Sequence, residues 1–146
     1  MDRATIAKFW NEAWTTGLWA ASWEKSVAGL TAEQAARHPA PGRNSIWQVV
    51  AHMIFWREVE LRRARGGGDP TPEEGKRLNF PEPPAVTQPA WDECVKRLAN
   101  TQQQVATALT DEKLSIDKLA YLLPHDCYHF GQICYVRAML GLPPIE

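Results

Sequence analysis

The feature that most constrains this fold is the stretch 66–86, GGGDPTPEEGKRLNFPEPPAV, rich in glycine, proline and charge and set between two long helical patterns. A link of about 20 residues with no structure of its own is uncommon in a compact domain. At about 3.3 Å per residue it can easily run the roughly 30 Å length of a 20-residue helix. It therefore predicts a crossover between two parallel helices, as in bundles that are not simply up-down-up-down. Disorder, or a lid over a pocket, is the competing account.

The patterns on either side repeat with helical period. Residues 45–65 carry Ile46, Val49, Val50, Met53, Trp56 and Val59 on one face behind a cap at Asn44 or Ser45, with Arg57 and Glu58 assigned to the polar side. Thr87 or Gln88, with Pro89 in the first turn, opens a third helix to about Leu109, striped by Trp91, Leu98, Val105 and Leu109. Residues 3–29 read as the first helix, with one stripe through Ile6, Trp10 and Ala13 and a second through Trp19, Trp23 and Val27. One core needs only one stripe. Four of the seven tryptophans fall in this segment, so the surplus predicts a partner surface or pocket wall and a homodimer formed partly through this helix. An unusually aromatic core helix is the alternative. The last helix runs to about Leu140 and stops at Gly141, and Pro124 within it predicts either a kink just before His125 or the meeting of two short helices. The whole is an all-α four-helix bundle in a single domain, 1–146, with a long crossover between its second and third helices.

Charge and cysteine content remove several classes. Sixteen basic against 17 acidic residues give a net charge of -1, with no general pull toward nucleic acid or anionic lipid. The segment MDRATIAKFWNEAW has neither the flanks of a signal peptide nor the apolar run of a membrane anchor. Three cysteines, an odd number, suit a reducing compartment, so a cytoplasmic protein with three buried thiols is expected.

What chemistry the chain carries centres on histidine. His125 and His129 stand one turn apart, so their imidazoles can reach a common point, for which a metal ion is the natural occupant. His52 lies among the apolar positions of its own helix, where each ring nitrogen needs a partner. Taken alone it reads as a satisfied core histidine; with the pair, all three can converge in a bundle interior. On the helical wheel Gln132 lies about 20° and Tyr121 about 40° from His125, and Gln48 about 40° from His52, which nominates them to orient ligands or substrate. Gly131, inside a helix, suggests close approach of a neighbouring helix or ligand. Three histidines with no carboxylate or thiolate leave a coordination position open, the mark of a catalytic site.

The segments SIWQVVAHMIFWRE (45–58) and HDCYHFGQICYVRAMLG (125–141) resemble the two signatures of the DinB-like superfamily of damage-inducible DinB and YfiT-like metalloenzymes. That resemblance implies a four-helix bundle, often dimeric, in which His52, His125 and His129 bind a divalent metal, zinc or nickel foremost, with iron or manganese behind them. It also implies a metal-dependent transferase or isomerase that activates a low-molecular-weight thiol to attack a small-molecule electrophile. A non-catalytic dimeric module with structural or adventitious metal is the second reading. A metal-dependent hydrolase using a water nucleophile is the third.

Overall fold

The computed structural model describes residues 1–145, all of whose regular structure is helical. Four long helices, α1 (Arg3–Thr15), α4 (Ile46–Ala64), α6 (Gln88–Thr110) and α8 (Leu122–Met139), alternate with four short ones, α2 (Trp23–Val27), α3 (Ala32–Ala36), α5 (Pro72–Leu78) and α7 (Ile116–Ala120). The long helices pack in the cyclic order α1, α6, α4, α8 and back to α1. Pairings along them set the directions. Trp47 meets Trp91 while Glu58 meets Arg97, so α4 and α6 run parallel. The crossover expected from 66–86 is therefore what joins them. Arg3 reaches carbonyls near Leu109 while Trp10 donates to Gln102 O, so α1 and α6 are antiparallel.

The crossover is not structureless. Thr71 and Glu74 close a reciprocal capping box, and Pro72 occupies the first turn, which together start α5. Beyond α5 the chain turns back over α4 as a strap, 79–84, which delivers Asn79 and Phe80 to the histidines.

The first helix is shorter than the 3–29 its periodicity suggests. α1 ends at Thr15, and the chain turns through Gly17 at φ +81° and Trp19 at φ +62° before Ser22 caps α2. A Cβ on Gly17 would stand 2.0 Å from the carbonyl oxygen of Ala20, so only glycine fits that turn. The break explains the two stripes. Trp23 and Val27 swing back into the same core as Trp10, with Trp23 edge-on to Trp10 and stacked on Phe130. Of the four tryptophans expected to exceed the needs of a core, only Trp19 is fully exposed.

A second interruption sits near the histidine pair. α7 ends at Ala120, and α8 begins at Leu122, one residue past Tyr121. Pro124 thus falls in the first turn of α8, where its missing N–H is not needed. Two helices meet there, the second of the two expected alternatives. Gly131 has open space where a Cβ would lie, so no neighbouring helix approaches it closely. Cys94 and Cys134 are half-buried, but Cys127 is exposed, contrary to the expectation of three buried thiols. No helix among the described residues is long and apolar enough to cross a membrane.

Candidate metal centre

α4 and α8 bring His52, His125 and His129 together, with one ring nitrogen from each lying within 4.8 Å of the other two. Ring centroids are 4.4 Å apart for His52 and His129, 4.5 Å for His125 and His129, and 5.2 Å for His52 and His125. His52 and His129 are buried; His125 keeps 29% of its side chain exposed.

The hydrogen bonds on the outer nitrogens determine what the inner ones can do. His52 Nδ1 lies 2.9 Å from both the backbone and side-chain oxygens of Asn79. His125 Nδ1 lies 2.7 Å from Asp126 Oδ1, and His129 Nδ1 2.8 Å from Gln132 Oε1. All these partners are acceptors, so each Nδ1 carries the proton and donates. In the neutral ring each Nε2 is then left with a bare lone pair. The Nε2 atoms of His52 and His125 stand only 3.2 Å apart, and two lone pairs at that distance repel unless a cation lies between them. A donor set of three neutral imidazoles, each oriented through its Nδ1, fits a divalent transition metal.

The surroundings of His52 and His129 also favour the neutral ring. Burial holds the His52 imidazole down at about 4, with the neighbouring His129 and His125 adding to the effect. Burial lowers His129 as well, against the hydrogen bond to Gln132 that opposes it. Phe80 lies flat on His52, 4.0 Å between centroids and 10° between planes, and shields that ring from water.

The three residues nominated from the helical wheel have different fates. Gln132 bonds His129 and donates from its Nε2 to the Tyr128 hydroxyl. Gln48 forms the capping box of α4 with Ser45, and its Nε2 donates to Glu82 Oε1 and Phe80 O. It is Asn79, not Gln48, that meets His52. Tyr121 sits at the α7–α8 junction with 75% of its surface exposed.

Asn79, Phe80 and Asp126 escaped the sequence reading, and so did Arg57. Assigned to the polar face, Arg57 is in fact wholly buried and ion-paired to Asp126, which is equally buried, at 2.6 Å. A signal existed: Arg57 follows Val50 by seven residues and Met53 by four, on the stripe that buries both.

An all-helical protein with a cluster of three histidines able to hold a metal ion is the class that this geometry defines. A family model described as the DinB superfamily matches residues 15–134, and the chain belongs to that superfamily. No curated protein and no solved structure matches it.

Proposed function

We propose that His52, His125 and His129 hold a divalent metal ion, zinc or nickel foremost, and that the protein is a metal-dependent enzyme transferring a low-molecular-weight thiol to a small electrophile. The observation that carries this reading is the convergence of one ring nitrogen from each of three histidines, all three rings being held through Nδ1 by an oxygen. A divalent ion bound there would supply Lewis acidity, lowering the pKa of a thiol or water so that a nucleophile exists at neutral pH. The chain's own residues orient and enclose. Asn79, Asp126 and Gln132 keep the three rings in one tautomer, and Phe80 excludes water from His52. Two of the chain's three thiols, Cys94 and Cys127, are poor candidates for the nucleophile. Burial pushes Cys94 up to about 12, and Cys127 is raised too, so both keep their protons at neutral pH. An external thiol fits better. The same reading takes the whole chain as one cytoplasmic domain acting as a homodimer, with the exposed Trp19 as the part of the first aromatic segment open to a partner copy.

The test is elemental analysis of untagged protein beside His52→Ala and His129→Ala. Near-stoichiometric metal in the parent and its loss in both variants is the expected result. Transfer of bacillithiol, mycothiol or glutathione to model electrophiles is then compared with hydrolysis of esters and amides. A parent that takes up no metal even on reconstitution would overturn the reading. Metal without thiol transfer, but with ester or amide hydrolysis, would replace the transferase by a hydrolase.

A further inference from the structure

Behind His125 lies a polar assembly that the metal reading does not by itself require. Asp126 points into the core and divides its two oxygens, Oδ1 accepting from His125 Nδ1 at 2.7 Å and Oδ2 from Arg57 Nε at 2.6 Å. Arg57 Nη1 donates to Leu98 O at 3.0 Å and to Thr101 Oγ1 at 3.2 Å, both on α6. The guanidinium carbon lies 5.0 Å from the ring centre of Trp10 and 5.8 Å from that of Trp23. One side chain thus ties α4 to α6, α8 and the indoles of α1 and α2. Neither Arg57 nor Asp126 has measurable exposure.

A buried ion pair is a poor way to gain stability, because apolar residues of similar volume often do as well or better. Its placement here points to another use. Arg57 leaves α4 five residues beyond His52, and Asp126 leaves α8 directly after His125, so the pair joins the same two helices as the site beside it. The guanidinium is planar, so with Nη1 tied to Leu98 O and Thr101 Oγ1 its Nε–H meets one Asp126 oxygen from a fixed direction. With one oxygen held by Arg57, the other is presented to His125 at a fixed place.

We propose that Arg57 and Asp126 are positioning residues of the histidine site: Arg57, anchored on α6, aims the Asp126 carboxylate, which holds the His125 ring with Nε2 toward His52 and His129. The inference rests on the reading of the three histidines as a metal site. It assigns the pair no contact with substrate.

Removing one charge alone risks unfolding, so the test uses two neutral double variants of the full chain. Arg57→Met with Asp126→Leu removes both charges and the acceptor for His125. Arg57→Met with Asp126→Asn removes the charges but keeps a carbonyl acceptor. Zinc affinity is measured by competition with a chromophoric chelator, the cobalt-substituted protein is examined by its visible ligand-field absorption, and circular dichroism reports helix content. The Leu double variant is expected to keep its helix content, to lose 10–100-fold in zinc affinity, and to give a cobalt spectrum altered in band position or intensity. The Asn double variant is expected to recover part of the affinity. A cobalt spectrum is insensitive to a merely structural role for the pair. Affinity within threefold of the parent, with an unchanged cobalt spectrum, in both variants would overturn the positioning role and leave the metal site standing. A parent that binds neither zinc nor cobalt would instead remove the metal reading itself.

Discussion

His125 and His52 are held in the same way, by an oxygen on Nδ1, yet by opposite kinds of structure. The oxygen at His125 belongs to a charged group with no exposure, locked by Arg57 into the meeting of four helices. Those at His52 belong to Asn79, a half-exposed residue just past a seven-residue helix on the crossover. The core side is intolerant, because removing either charge alone leaves the other buried without a partner. The strap side is neutral and lies on a connection, the kind of segment that opens first in native proteins. Two imidazoles of one cluster therefore differ in what holds them in place.

The largest effect expected from this contrast is on the core side. Asp126→Ala leaves Arg57 buried without a counter-ion and should lower stability by about 3–5 kcal/mol, seen as an earlier urea midpoint. A loss below about 1 kcal/mol would mean that the guanidinium reaches water after all, and the contrast would fail. Next in size is a pH effect on the strap side, read on protein stripped of metal by a chelator. His52 titrates at about 4 when folded against 6.5 for the free side chain, so between those values the unfolded chain binds a proton that the native state refuses. Stability is complete above pH 6.5 and should fall as pH drops toward 4. A midpoint that rises over that window would show that His52 is not held neutral by burial. The smallest effect is that of Asn79→Ala. His52 keeps the backbone oxygen of Asn79, and Trp56 Nε1 loses its bond to Asn79 Oδ1, so about 1 kcal/mol of stability should go. A loss as large as that of Asp126→Ala would make the strap part of the core.

How far the sequence could be read follows the same division. Helical period is a local property, so α4 and α6, their caps at Ser45 and Thr87, and the all-helical class were legible, and the length of 66–86 was enough to indicate a parallel crossover. The three histidines could be nominated because each lies on a helix whose buried face is marked by its neighbours. The partners of those histidines were hidden for three physical reasons. Asn79 and Phe80 sit on an irregular strap, where no periodicity says which way a side chain points. Asp126 directly follows a histidine on a helix turning about 100° per residue, which separates the two side chains on a wheel although the carboxylate still reaches the ring. Arg57 was assigned by its charge when its position on the stripe was the better guide. The break after Thr15 escaped because the apolar stripes on either side of Gly17 each keep helical spacing, and only the backbone reveals that they fold onto one core.

The parallel run of α4 and α6 has a consequence in time. A ribosome releases α4, the strap and α6 before it makes α8, so Arg57 can already meet Leu98 and Thr101 while its carboxylate partner is still unmade. His52 can likewise find Asn79 early, but the other two histidines and Asp126 arrive together on one helix. Docking of that helix would neutralise the waiting guanidinium and close the histidine cluster in one event, so that any ion the cluster takes up reports the completion of folding.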